Sequence, residues 1–296
     1  MLTPLTPSGH ECGRGAGTIT GRVRAPWVRT LGASVLAVAV LVLADGRTWA
    51  QDSVIPLALP DGNAVAIGVG GYPDYIGSDD YSLGAIPLAR YVYWGKRDLT
   101  LVGNTLNVSL FSESGWRLGP SGMLRFGRSD VSDDVVDRVH EIDPSIDLGA
   151  FVGYTWVGDS PRKFVGTSAW GLADVTDSHG GWTAGANVYG AYPVFEPLTL
   201  AGGVAFTYGS GSYMSSYFGV TPADAQASGL GVYQASAGIR DVRGWLVALV
   251  HLSPRWTVGA GVGYSWLADE AGRSPIVEDR GSRHQWLFGA GGMFIW

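Results

Sequence analysis

Leu198-Thr-Leu-Ala-Gly-Gly-Val-Ala-Phe-Thr-Tyr208 alternates without a break. Leu198, Leu200, Gly202, Val204, Phe206 and Tyr208 fall on one face; Thr199, Ala201, Gly203, Ala205 and Thr207 fall on the other. Successive side chains of an extended strand point to opposite faces, so the stretch reads as a strand with one oily face and one small or polar face. The period returns in 255–266, where Trp256, Val258, Ala260, Val262, Tyr264 and Trp266 oppose Arg255, Thr257, Gly259, Gly261, Gly263 and Ser265. It returns again in 146–156, with Phe151 the one large residue on the small face.

Strands of about 9 to 11 residues are long enough to cross a bilayer at a tilt. A soluble sandwich also alternates, but its outward face is polar and charged. Here the polar face is mostly Gly, Ala, Thr and Ser, which suits a crowded interior. Trp94, Trp116, Trp156, Trp182, Trp256, Trp266 and Trp296 recur at strand ends and predict two aromatic girdles. The expected fold is all-β: a transmembrane up-and-down antiparallel β-barrel of ten or twelve strands around a narrow, side-chain-filled lumen. Pro87 and Arg90 break the alternation of the early strands and leave the count open.

Composition agrees with that reading. Glycine supplies 45 of 296 residues, charged residues only 16%, and Trp and Tyr (12 and 13) outnumber Phe (9), a bias typical of membrane interfaces. Residues 1–50 carry Arg14, Arg22, Arg24, Arg29 and Arg47 around an apolar run at 31–44, followed by Thr48-Trp49-Ala50. This is the pattern of a signal peptide, so a mature barrel domain is expected over 51–296, starting at Gln51. The single cysteine, Cys12, lies in that leader, which excludes a disulfide framework. Without the leader the charge is −9, and nucleic acid is not an expected partner.

The long connections are 129–144, 174–181, 209–229 and 268–283, and the short ones 158–162, 193–197 and 253–255, with 230–252 taken as one bent strand. Barrels of this kind carry short turns at the periplasmic end and long loops outside. The chain stops on a strand with Trp286, Phe288, Ala290, Gly292, Phe294 and Trp296 on one face. Phe294 and Trp296 resemble the terminal signal read by the barrel-assembly machinery, and outer-membrane lipid and lipopolysaccharide are the expected surroundings.

Several short stretches, in order, make the sequence resemble the MipA/OmpV family of MltA-interacting outer-membrane proteins. They are Tyr72-Pro-Asp-Tyr-Ile-Gly-Ser-Asp-Asp-Tyr81, Gly115-Trp-Arg-Leu-Gly-Pro120, Gly127-Arg128, Ser178-His-Gly-Gly181, Tyr217-Phe-Gly-Val220 and Ser274-Pro-Ile-Val277. Ser129 stands where an acidic residue often follows the Gly-Arg pair. The resemblance implies an outer-membrane barrel, with some members scaffolds that join a lytic transglycosylase to a peptidoglycan synthase and others adhesins or small pores. The expected role is therefore a non-enzymatic scaffold or surface interaction protein, with a small-solute pore as the alternative.

Candidate chemistry is sparse. Arg117, Arg125 and Asp147 fall on the lumen face of neighbouring strands and are expected to pair as a plug, or else to line an ion-selective constriction. Asp174, Asp177, Ser178, His179, Gly180 and Gly181 form a candidate interaction loop, its spacing too compact for a defined zinc site and its residues suited to a polar turn. His251 and His284, with Ser282 or Asp279, would be the raw material of a surface hydrolase, but no nucleophile elbow accompanies them. Gly68-Val-Gly-Gly71 and Gly259-Ala-Gly-Val-Gly263 lack the helix a phosphate loop needs. Asp79 with Asp80, and Asp130, Asp133, Asp134 and Asp137, read as solvated loop surface without calcium-site spacing. No metal, cofactor or catalytic residue is expected.

Overall fold

The computed structural model describes residues 62–296; the expected leader and its cleavage site lie outside the described residues. The strands are β1 Ala64–Pro73, β2 Tyr81–Trp94, β3 Arg97–Val102, β4 Thr105–Val108, β5 Phe111–Glu113, β6 Trp116–Arg125, β7 Ser145–Val157, β8 Phe164–Asp174, β9 Trp182–Phe195, β10 Leu198–Gly209, β11 Gly238–His251, β12 Trp256–Leu267 and β13 His284–Ile295. Each pairs antiparallel with its neighbours. β4 and β5 both lie against β6 and act as one interrupted strand, so the ring has twelve. β1 pairs with β13 from Ala64↔Ile295 to Gly71↔Phe288, which closes the sheet and leaves no free first or last edge. No described helix is long and apolar enough to cross a membrane; the crossing is made by strands.

The alternation read from the sequence sorts the faces. Val204, Phe206, Val258, Val262, Ile146 and Leu148 stand exposed on the outside, as a lipid-facing surface requires. Thr199, Ala201, Thr207, Thr257 and Ser265 are buried inside. Phe151 faces the lumen opposite Gly119 and Trp170. Trp94, Trp116, Trp156, Trp256 and Trp296 ring the end with short turns, and Trp182, Trp266 and Trp286 ring the other.

Arg90 and Pro87 do not interrupt β2. Arg90 points inward to Asp98, and the Pro87 carbonyl accepts from the Gly103 amide, a bond that needs no proline N–H. One boundary is corrected: 230–252 is not one bent strand. β11 begins at Gly238, because Val220 and Tyr233 exchange backbone hydrogen bonds and Leu230 packs into a loop cluster, holding 230–237 away from the wall.

That cluster belongs to a folded cap. The long connections carry a 3-10 turn at Val136–Arg138 and four helices: α1 Gly211–Phe218, α2 Pro222–Ser228, α3 Asp269–Gly272 and α4 Pro275–Glu278. Tyr213, Met214, Tyr217 and Phe218 of α1 pack with Ile142, Leu267, Ala271 and Val277. A second cluster joins Tyr75, Val136, Val139, Val220, Leu230 and Ile276. Loops that bury apolar side chains with one another form a small core of their own, here seated over one mouth of the barrel.

Candidate functional site: the capped mouth of the barrel

The stretches singled out in the sequence mostly converge on this cap. Gly127 turns the chain after β6 with φ +72°, and a Cβ there would lie 2.0 Å from the Ile142 carbonyl oxygen, so only glycine fits. The turn delivers Arg128, whose backbone pairs with Ile142 and whose buried guanidinium donates to the Tyr217 carbonyl at 3.0 Å and the His140 carbonyl at 3.2 Å. Burial lowers that guanidinium to about 10. Ser274 opens α4 and donates to the Phe218 carbonyl at 2.7 Å. Asp74 accepts from Ser82 at 2.9 Å and from the Ser132 amide at 2.8 Å, tying the first loop to the third.

Charge completes the fastening. The ring nitrogens of His140 lie 2.9 Å from Asp224 Oδ2 and 3.0 Å from the Ser216 carbonyl, bridging α1 and α2. Thr221 and Asp224 form a reciprocal capping box. Burial pushes the Asp224 carboxyl up, but hydrogen bonds from His140 and Thr221 outweigh it and bring it down to about 2. Asp133 caps the 3-10 turn through the Val135 and Val136 amides and pairs with Arg280 at 2.6 Å. The acidic cluster around Asp133 thus has structural partners.

Beneath the cap, the structure brings two of the candidate groups together. Arg125 of β6 donates to Asp147 of β7 at 2.7 Å and to Thr183 at 2.7 Å, with Arg125 and Asp147 almost wholly buried. His179, from the β8–β9 loop, dips into the mouth and donates through Nε2 to the other Asp147 oxygen at 3.1 Å. Its Nδ1 accepts from the Gly181 amide at 3.2 Å, which fixes Nε2 as the donor. Asp174 accepts from the amides of Thr176, His179 and Gly180 and holds the loop's shape. Ser178 donates to the Asp143 carbonyl, and Asp177 and Gly180 take positive φ in the turn. Asp147, Asp174 and His179 lie close enough for a cation, but their ligand atoms are engaged in these hydrogen bonds and an ion pair. The geometry is that of a latch.

Arg117 corrects the expected pairing. It lies eight residues from Arg125 on β6, about 26 Å along the strand, and binds Asp98 at 2.6 Å near the turn end, where Arg90 binds the same carboxylate at 2.5 Å. The sequence reading missed Asp98 because β3 is only six residues long and shows no full alternation. It also missed Tyr213, whose fully buried ring is flanked by Arg125, Arg240 and His179 and whose hydroxyl accepts from Arg240 at 2.6 Å. Arg240 and Arg243 share Asp241 on the next wall. His251 binds Thr199 and Thr257 at the turn end, whereas His284 binds Tyr264 at the cap end, so no hydrolase triad assembles from them. Phe294 packs at a tilt against Trp256, and the Trp296 amide donates to the Asn63 carbonyl at the seam.

Among solved structures, an outer-membrane channel from Pseudomonas putida F1 aligns with TM-score 0.46 and 10% identity over 83% of this chain and 100% of that one. OmpT of Vibrio cholerae gives 0.35 and 10% over 79% and 96%. The toluene transporter TodX of Pseudomonas putida gives 0.36 and 10% over 80% and 89%. No curated protein matches the chain. The model of the family described as MltA-interacting protein MipA matches residues 65–296, nearly the whole of the described chain. This protein belongs to the MipA family and is a β-barrel of the bacterial outer membrane.

Proposed function

We propose that the protein is a non-enzymatic scaffold of the outer membrane, a rigid mount that holds a peptidoglycan lytic transglycosylase, and through it a peptidoglycan synthase, against the inner face of that membrane. One observation carries the preference for scaffold over open pore: the mouth is closed by a cap with its own apolar core, latched to the wall through Arg125, Asp147, His179 and Tyr213. An open polar path would need a hydrated constriction, and these groups are instead buried and engaged in hydrogen bonds. In this reading Arg125 and Asp147 rigidify the mouth, and Arg90, Asp98 and Arg117 do the same at the turn end. The family's printed description, an MltA-interacting protein, supports a lytic transglycosylase as the first partner.

The deciding experiment is co-purification of the refolded protein with a lytic transglycosylase, alongside single-channel recording in planar bilayers. A saturable complex with no sustained conductance supports the scaffold. Steady, ion-selective conductance with no complex supports the small-solute pore instead. The candidate interaction loop at 174–181 lies on the outer side, so an adhesin role would appear as loss of surface binding on changing Asp177, which is exposed there.

A further inference from the structure

The barrel wall is not of even height. β2 is bonded to β3 only from Leu88 to Trp94, and β6 to β4 only as far as Met123, because the β3–β4 hairpin turns at Gly103 and Asn104. Above that turn two strands are missing between β2 and β6, a gap of roughly 14 Å at the usual spacing between strands. The Pro87 carbonyl faces the hairpin, so by alternation the N–H and C=O of Leu83 and Ala85 face the gap. None of those four groups has a partner on that side among the described residues. An open sheet edge in contact with lipid is costly unless something satisfies it. The notch begins at Tyr81, level with the cap-end girdle, and descends into the hydrocarbon zone, with Leu83 the most exposed large apolar residue beside it.

Behind the notch lies a cavity of about 260 Å³. Ala85, Ile86, Gly103, Asn104 and Phe126 line its notch side, and Leu88, Val102, Ala201, Val247, Leu249 and Met293 its interior. Gly259, Gly261, Gly263, Gly289 and Gly291 form the opposite wall and leave the space empty by having no side chains. Its one charged lining residue, Arg162, is paired with Glu196 at the turn end. Apolar cavities of about 150 Å³ stay dry and take a benzene-sized guest, so this one holds a longer hydrocarbon. The cap closes the route from outside, and the notch opens toward the outer leaflet.

We infer that the notch and the cavity form a binding site for one alkyl chain of an amphiphile, the hydrocarbon lying in the lumen and the ester, amide or carboxyl linkage resting against the free edge groups of Leu83 and Ala85. The chain has two sources, a membrane phospholipid or a free fatty acid. Native mass spectrometry of the protein released from C8E4 micelles, titrated with dimyristoyl phosphatidylcholine or with dodecanoic acid, separates them. Saturable uptake of a single molecule is expected with at least one probe. Uptake of phospholipid alone identifies a membrane chain, and uptake of dodecanoic acid alone a free amphiphile. Gly263→Leu points a side chain into the cavity without crowding, since a Cβ there meets nothing nearer than 3.6 Å. Ala66→Leu fills it from β1. Each is expected to weaken uptake at least tenfold while the folded band on a cold SDS gel is retained. In unmodified protein, n-decane should compete with the bound probe, which tests the cavity even if a variant misfolds. No competition by decane, or uptake by folded filler variants equal to that of the unmodified chain, overturns the inference.

Discussion

Asp147 of β7 and His179 of the β8–β9 loop meet at 3.1 Å inside the mouth of the barrel, both side chains sealed from solvent. Through this contact a residue of the wall holds a residue of the cap, and Arg125 holds the same carboxylate from the neighbouring strand. Replacing Asp147 with Ala leaves a buried guanidinium without its counter-charge, and a loss of about 3 kcal/mol is expected because breaking a dry pair exposes the full desolvation cost. Thermal unfolding in detergent measures it. A loss under about 1 kcal/mol would mean that water already reaches the pair, and unchanged unfolding with altered ion selectivity would favour the pore.

Tyr213 joins the cap to the charges beneath it, so truncation should be costly. Tyr213→Ala removes a fully buried ring and is expected to destabilise by about 4 kcal/mol. Tyr213→Phe keeps the ring under Arg125 and loses the bond from Arg240, at about 1 to 2 kcal/mol. Equal losses from both variants would show that the hydroxyl, not the packing, carries the residue's role.

Acid should loosen the cap before the barrel. The Asp224 carboxyl sits at about 2 in the folded protein, below its ordinary value near 4, so its contribution is complete above pH 4 and disappears as the pH falls from 4 to 2. Hydrogen exchange in 210–237 should rise across that window while the strands stay protected. Asp224→Asn should abolish the pH dependence; an unchanged acid profile in that variant would assign the transition to another carboxylate.

Gly127→Ala tests the turn behind Arg128. With φ at +72° and the Ile142 carbonyl 2.0 Å from the added carbon, the backbone must move, and a cost above about 2 kcal/mol is expected. Exchange in 126–144 should speed up even if the barrel persists. Wild-type protection there would mean that the loop absorbs the methyl by rearranging.

Removing Phe294 to Trp296 takes away the tilted ring contact with Trp256 and the seam bond to Asn63. Membrane fractionation should then find less assembled barrel. Normal insertion of the shortened chain would remove the terminal strand from its expected role as assembly signal.

Much of the barrel was legible because its rule is local. A period of two needs no distant partner, so 198–208, 255–266 and 146–156 declared their faces directly. The lumen faces of Arg125 and Asp147 followed from the same rule. Their partners did not, since His179, Tyr213 and Asp98 reach them across loops or from a strand too short to show a period. The cap was hidden for a related reason. Tyr75, Val136, Tyr217 and Ile276 sit far apart in the chain within polar, turn-rich stretches, and only the closed ring brings their loops to one mouth.

The seam between β1 and β13 is chemically like every other junction in the ring, running through eight paired positions that join the first described strand to the last. Stability is therefore expected to be indifferent to where the circle is cut, whereas biogenesis is expected to depend on it if Phe294 and Trp296 are the assembly signal proposed for the last strand. A circularly permuted chain opened in the 158–163 turn should refold in detergent to the same barrel yet insert poorly in cells. Such a molecule would separate the information that specifies the shape from the information that delivers it.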